Sequence, residues 1–237
     1  MIKAALQYIE DLRKERIIES NGMRYTEHRL ERLDDCLRAS ALKVSTLSSL
    51  VEYIKGNVDV MAEKMLIQVV SPTEVRLLSQ LDGDRKRECL MVAEAELPEI
   101  KYGKFVDCES FLITLRSNFI TNYDTDLLLK FAGTVEAGTV ASYGDDGVTQ
   151  KATVKKGING KEDAVVPNPV NLRPYRTFTE VEQPESEFVF RMKQSDYDVS
   201  CALFEADGGA WKREAMKKVK EYLEFELNGA ERFTVIS

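Results

Sequence analysis

The chain has 237 residues, enough for one or two hydrophobic cores, and its 43% apolar and 31% charged content is that of an ordinary globular protein. A formal charge of −7 excludes a wholly basic, DNA-coating surface, yet it leaves room for a local basic face, because steering depends on where the charges sit. The four cysteines, Cys36, Cys89, Cys108 and Cys201, lie far apart, which excludes a C-x-x-C metal or redox motif and suits reduced, mostly buried thiols in a cytoplasmic protein.

The first segment, "MIKAALQYIEDLRKERIIE", is charged throughout and lacks the apolar centre of a signal peptide. Ile2, Ala5, Leu6, Ile9 and Leu12 share one face of a helix over residues 2–14. In "RIIESNGMRYTE", Asn21-Gly22 separates two strand-like runs and predicts a two-residue hairpin. Residues 30–40 are charged and predict a linker. No apolar run reaches the roughly 18 residues of a membrane span, so no membrane partner is expected.

A block with the order β-α-β-β-β comes next. "ALKV" (41–44) predicts a short strand. Leu47, Leu50, Val51, Ile54 and Val58 then form a helical stripe, capped by Thr46 or Ser45. "MLIQVV" (65–70), "PTEVRLLSQL" and "RKRECLMVAEAEL" predict three strands, the last two separated by the turn Asp82-Gly83-Asp84. The pattern returns 61 positions later. "YGKFV" (102–106) predicts a strand, and Cys108, Phe111, Leu112, Leu115 and Phe119 repeat the helical spacing behind a cap at Asp107. "LLLKF" (127–131), "TVEAGTVASY" and "VTQKATVKK" predict strands, with a turn at Gly144-Asp145-Asp146-Gly147. Repeats of this length signal one supersecondary block used twice.

Residues 157–177 hold three of the six prolines, Pro167, Pro169 and Pro174, and predict a long irregular loop. The tail reads β-β-α-β: "SEFVFRMK" (186–193), "SCALFEA" (200–206), a turn at Asp207-Gly208-Gly209, a helix over 210–227 and "FTVI" (233–236). The expected fold class is α+β, with duplicated β-α-β-β-β units forming antiparallel sheets with helices on one face. The segments are a helix and hairpin over 1–38, units over 39–98 and 99–158, and a proline-rich loop with the β-β-α-β tail over 159–237.

Several residues are candidates for chemistry. On the last helix Lys212, Arg213, Lys217 and Lys220 lie off the apolar face formed by Trp211, Ala215, Val219, Tyr222 and Leu223. Its cations crowd the N-terminal half and Glu221, Glu224 and Glu226 the C-terminal half, against the helix macrodipole. Such a stripe suits an anionic partner, and equally a solvated, salt-bridged face. Arg173, Tyr175, Arg176, Arg191 and Lys193 mix cations with an aromatic ring, which suits phosphate or base contact or an ordinary packed loop. Asp82, Asp84, Asp145 and Asp146 are paired carboxylates of the kind two-metal nucleases use, beside glycines where aspartate also serves tight turns. Glu205-Ala206-Asp207-Gly208-Gly209 precedes a helix but lacks a phosphate-loop pattern, and His28, the only histidine, has no nucleophile nearby in sequence. No metal site and no cofactor are expected.

"VVSPTEVRLL", "VDCESFL", "GDDGVTQKATVKKGI", "VPNPVNLRPYRTFTEVEQPESEFVFRM" and "CALFEADGGAW" resemble uncharacterised proteins of phages and prophages of Gram-positive bacteria and, more distantly, the YfdQ-like prophage family. The resemblance implies an intracellular protein of a bacterial host cell and carries no catalytic residues. The β-α-β-β-β block also resembles the repeated unit of DNA sliding clamps, which turn basic helices inward; here Lys55 and Arg116 are the cations of the first two helices. The expected function is that of a non-enzymatic phage accessory protein. It would form a homo-oligomer through exposed sheet edges and bind nucleic acid or a phage or host partner in DNA metabolism. The alternatives are a defence antagonist that holds a nucleotide signal or host effector between Arg173 and Lys193, and a metal-dependent nuclease.

Overall fold

The computed structural model of the chain describes residues 2–13, 17–20, 23–26, 38–61, 64–83, 85–137, 139–145, 149–156, 160–194 and 199–237. They fall into two units, residues 1–39 and 40–237. In the first, helix α1 (Ile2–Arg13) is followed by strands β1 (Ile17–Ser20) and β2 (Met23–Thr26), an antiparallel pair whose last partners are Ser20 and Met23. That register leaves a two-residue connection, as the Asn-Gly dipeptide predicts. The dipeptide itself, the linker over 30–37 and His28 lie outside the described residues.

The larger unit holds two five-stranded sheets and a three-stranded one, so the fold is α+β. The first sheet begins with β3 (Leu42–Val44) and helix α2 (Leu47–Gly56). Thr46 caps the helix by accepting from Ser49 N at 3.2 Å, and Asn57 ends it in the left-handed region at φ 46°. Strands β4 (Met65–Ser71), β5 (Glu74–Ser79) and β6 (Cys89–Glu94) form a meander. β3 lies parallel to β6 at one edge, and β15 (Phe233–Ile236) lies parallel to β4 at the other. Met65, Ile67, Val69, Val75, Leu77, Met91 and Ala93 alternate onto one buried face. Leu47, Leu50, Val51 and Ile54 of α2 cover it, together with Val219 and Leu223 of helix α5 (Trp211–Glu226).

The second sheet has the order β7-β14-β13-β12-β8 and is antiparallel throughout. Its strands are β7 (Val106–Asp107), β8 (Phe119–Ile120), β12 (Val170–Pro174), β13 (Ser186–Gln194) and β14 (Val199–Glu205). Helices α3 (Cys108–Asn118) and α4 (Tyr123–Ala137) pack on it around Phe111, Leu115, Leu128, Phe131, Phe188 and Phe190. The third sheet is the antiparallel set β9 (Thr139–Asp145), β10 (Thr149–Lys156) and β11 (Gly160–Pro167).

The element order of the second block departs from the duplication that the spacing predicts. "LLLKF" lies inside α4, not in a strand, and the expected strand "TVEAGTVASY" begins as the end of that helix. The buried positions Leu128, Phe131, Ala132 and Val135 follow i, i+3, i+4, i+7, the helical period. The block is β7-α3-β8-α4-β9-β10, whereas the first is β3-α2-β4-β5-β6. Leu50 and Phe111 accordingly occupy unlike surroundings, one over the meander and the other 5.6 Å from the Phe190 ring.

The proline-rich stretch is also a correction, because β11 and β12 run through it. Its prolines sit where strands tolerate them: Pro167 ends β11, Pro174 ends β12, and Pro169 lies in the connection between. The expected segment 159–237 is shared between layers, since β12, β13 and β14 enter the second sheet and α5 and β15 belong with the first.

Candidate functional site

Helix α5 starts from a turn that the sequence dictates closely. Gly208 and Gly209 adopt φ of +62° and +82°, where a side chain would be strained. Asp207 holds the turn: Oδ1 accepts from Gly209 N at 2.9 Å, and Oδ2 accepts from Trp211 N at 3.2 Å and from Ser186 Oγ at 2.9 Å. Burial acts to raise its pKa, but these hydrogen bonds and the charge of Arg176 hold it below the usual carboxylate range. The carboxylate thus places a negative charge at the start of the helix, on the side the macrodipole favours, where it accepts the Trp211 N–H.

From this turn onward, the outer face of α5 lines an open groove of about 930 Å³. Its walls include Lys212, Arg213, Lys217 and Lys220, interleaved with Glu214, Glu221 and Glu224. Lys217 Nζ stands 3.5 Å from Glu221, and Lys220 Nζ stands 3.8 Å from Glu224. Both pairs put lysine N-terminal to glutamate, the weaker orientation on a helix, and pairs of this kind are worth about 0.3 kcal/mol. The favourable order occurs at Glu214 and Lys218, 2.9 Å apart, and Lys218 also reaches Glu182 at 3.1 Å. Lys217 and Lys220 are therefore held loosely and Lys218 firmly.

The second predicted cluster is built differently. Arg173 Nε meets Glu185 at 3.0 Å, and its NH1 meets Glu182 at 3.2 Å. Glu182 thus joins Arg173 on β12 to Lys218 on α5, with its own carboxyl held below the usual range by Lys218. Arg176 is buried, 6% exposed. Its guanidinium lies 4.1 Å from the Trp211 ring, contacts Glu205 at 3.3 Å, and donates to Pro184 O at 3.4 Å and to Ser186 Oγ. Arg191 donates to Phe190 O at 3.3 Å, and Lys193 lies 4.2 Å from the Phe105 ring. These four cations are engaged within the chain, and two of them reach α5: Arg173 through Glu182 and Lys218, and Arg176 against the Trp211 ring.

Gln183, which nothing in the sequence singles out, organises the loop between β12 and β13. Its Oε1 accepts from Arg176 N at 2.9 Å and Thr177 N at 3.2 Å, while Nε2 donates to Phe178 O at 3.0 Å. The acidic turns divide. Asp82 Oδ1 accepts from Lys86 N at 2.7 Å, an ordinary turn contact, whereas Asp84, Asp146 and the Asp145 side chain lie outside the described residues. Among the described residues no group of three or more His, Cys, Asp or Glu is placed to hold a cation, and no helix is long and apolar enough to cross a membrane.

The fold and this surface define an α+β protein in which a helix of mixed charge packs over the first of two hydrophobic clusters. Comparison with known protein families, with curated proteins and with solved structures finds no match.

Proposed function

We propose that the protein is a non-enzymatic accessory factor that binds an anionic polymer, nucleic acid above all, through the outer face of α5. The observation that supports this reading is the open groove lined by Lys212, Arg213, Lys217 and Lys220, in which two of the four cations are paired in the weak helical orientation. An extended phosphate backbone matches such a stripe, since lysines one or two helical turns apart can meet successive phosphates. Origin in a phage or prophage and a role in DNA metabolism belong to the same proposal. So does self-association through the open edges of the first sheet, where Leu42 on β3 and Ile236 on β15 are exposed.

Filter binding with duplex and single-stranded DNA across a salt series is the test. With two to four phosphate contacts the log–log salt slope on duplex is expected to be roughly −2 to −4, and Lys212→Glu with Lys217→Glu reduces its magnitude by about 2. Native mass spectrometry of the same preparation reads the stoichiometry. A slope near zero, or no binding at low salt, removes the nucleic-acid reading.

A further inference from the structure

Cys108 is the first residue of α3, directly after the cap Asp107, whose Oδ1 accepts from Ser110 N at 2.8 Å. Cys201 lies on β14, where it pairs in register with Val106 of β7. Although 93 positions separate the two cysteines, their sulfurs are 3.8 Å apart. Both are buried thiols, 5% and 0% exposed. The step from this separation to a disulfide of about 2.05 Å is a sulfur movement of under 2 Å, within the reach of side-chain rotation, because β7, which leads directly into α3, is paired with β14.

A cavity of about 230 Å³ borders Cys201. Its wall includes Tyr102, Val106, Phe111, Phe119, Cys201 and Leu203, with the exposed Lys101 and Lys104 at its outer end. A cavity of this volume has room for a molecule the size of hydrogen peroxide beside Cys201, which is otherwise buried.

We propose that Cys108 and Cys201 are a peroxide-oxidised pair that closes into a reversible disulfide. Cys201 Sγ attacks one oxygen of hydrogen peroxide; the O–O bond breaks, the sulfur becomes a sulfenic acid, and the second oxygen leaves as water with the thiol proton. Cys108 Sγ then attacks that sulfur. The S–O bond breaks, the S–S bond forms, and the hydroxyl departs with the Cys108 proton as a second water. Two thiols are oxidised and one peroxide is reduced. Hydrogen bonding between the sulfurs and burial push the Cys201 thiol up, which lowers its thiolate fraction and slows the first step. The cross-link ties the first turn of α3 to β14 and stands apart from the α5 face, so its failure leaves the binding proposal untouched.

The full chain is treated with hydrogen peroxide, denatured and alkylated. The expected result is a mass lower by two hydrogens, two alkyl groups fewer than the four cysteines allow, and a linked peptide pair containing Cys108 and Cys201 that a dithiol separates. The Tm of the oxidised protein rises by roughly 5–10 °C. Cys108→Ser and Cys201→Ser each abolish both the link and the rise. Four alkylated cysteines after treatment, oxygen retained on a single cysteine, or a link through Cys36 or Cys89 overturns the proposal.

Discussion

The guanidinium of Arg176 lies between the Trp211 ring, 4.1 Å away, and the Glu205 carboxylate at 3.3 Å, in a site that water scarcely reaches. From residue types alone, a run of arginines beside a tyrosine and prolines reads as a surface for phosphates. Which of them turns inward is decided by Glu205, Ser186 and Gln183, residues from other elements that no local pattern links to Arg176. Removing one member of a buried charged pair leaves the other uncompensated. Because Glu205 is partly exposed, Arg176→Ala is expected to cost about 2–3 kcal/mol in urea unfolding. An unaltered urea midpoint would refute the structural role. The lysines of α5 behave in the opposite way: their type, spacing and exposure were all legible in the sequence, because an amphipathic helix separates its faces by period alone.

At the scale of elements, legibility follows the strength of the period and the caps. Helix α2, the β4–β5–β6 meander, β13, β14, α5 and β15 all appear where alternation or helical spacing puts them. Helix α4 does not, because a short apolar run such as "LLLKF" carries no period of its own. The decisive signal lay just upstream. Asn122 Oδ1 accepts from Thr125 N at 2.8 Å, and Asp124 and Asp126 occupy the first turn, the arrangement expected of a helix start. A strand would set Leu127, Leu129 and Phe131 on one face and Leu128 on the other; the helix instead buries Leu128 with Phe131 and leaves Leu127 and Leu129 half-buried. Leu128→Ala is therefore expected to cost about 3 kcal/mol in chemical denaturation and Leu127→Ala less than half as much. Equal losses would restore the strand reading.

For the whole molecule, acid is the informative perturbation. Asp107 is held below the ordinary carboxylate range by hydrogen bonds from Ser110, and Glu182 by Lys218; Asp207 is lowered despite its burial by Gly209, Ser186, Trp211 and Arg176. With folded values below unfolded ones, the unfolded chain takes up protons first as pH falls. The stability these groups contribute is complete above roughly pH 5 and is lost as pH falls through their folded values. The urea midpoint is expected to drop between pH 7 and about pH 3, and less steeply in Asp207→Asn. A flat profile in the parent protein would contradict this. The first sheet has a further consequence for synthesis. Its strands come from Leu42–Glu94 and again from Phe233–Ile236, with the whole of the second sheet encoded in between. A ribosome that has finished β6 must add about 140 more residues, on the order of 10 s of elongation, before α5 and β15 emerge. Until then the part of the sheet face that Val219 and Leu223 cover and the outer edge of β4 lack their partners, so apolar surface stays open on the nascent chain throughout that interval.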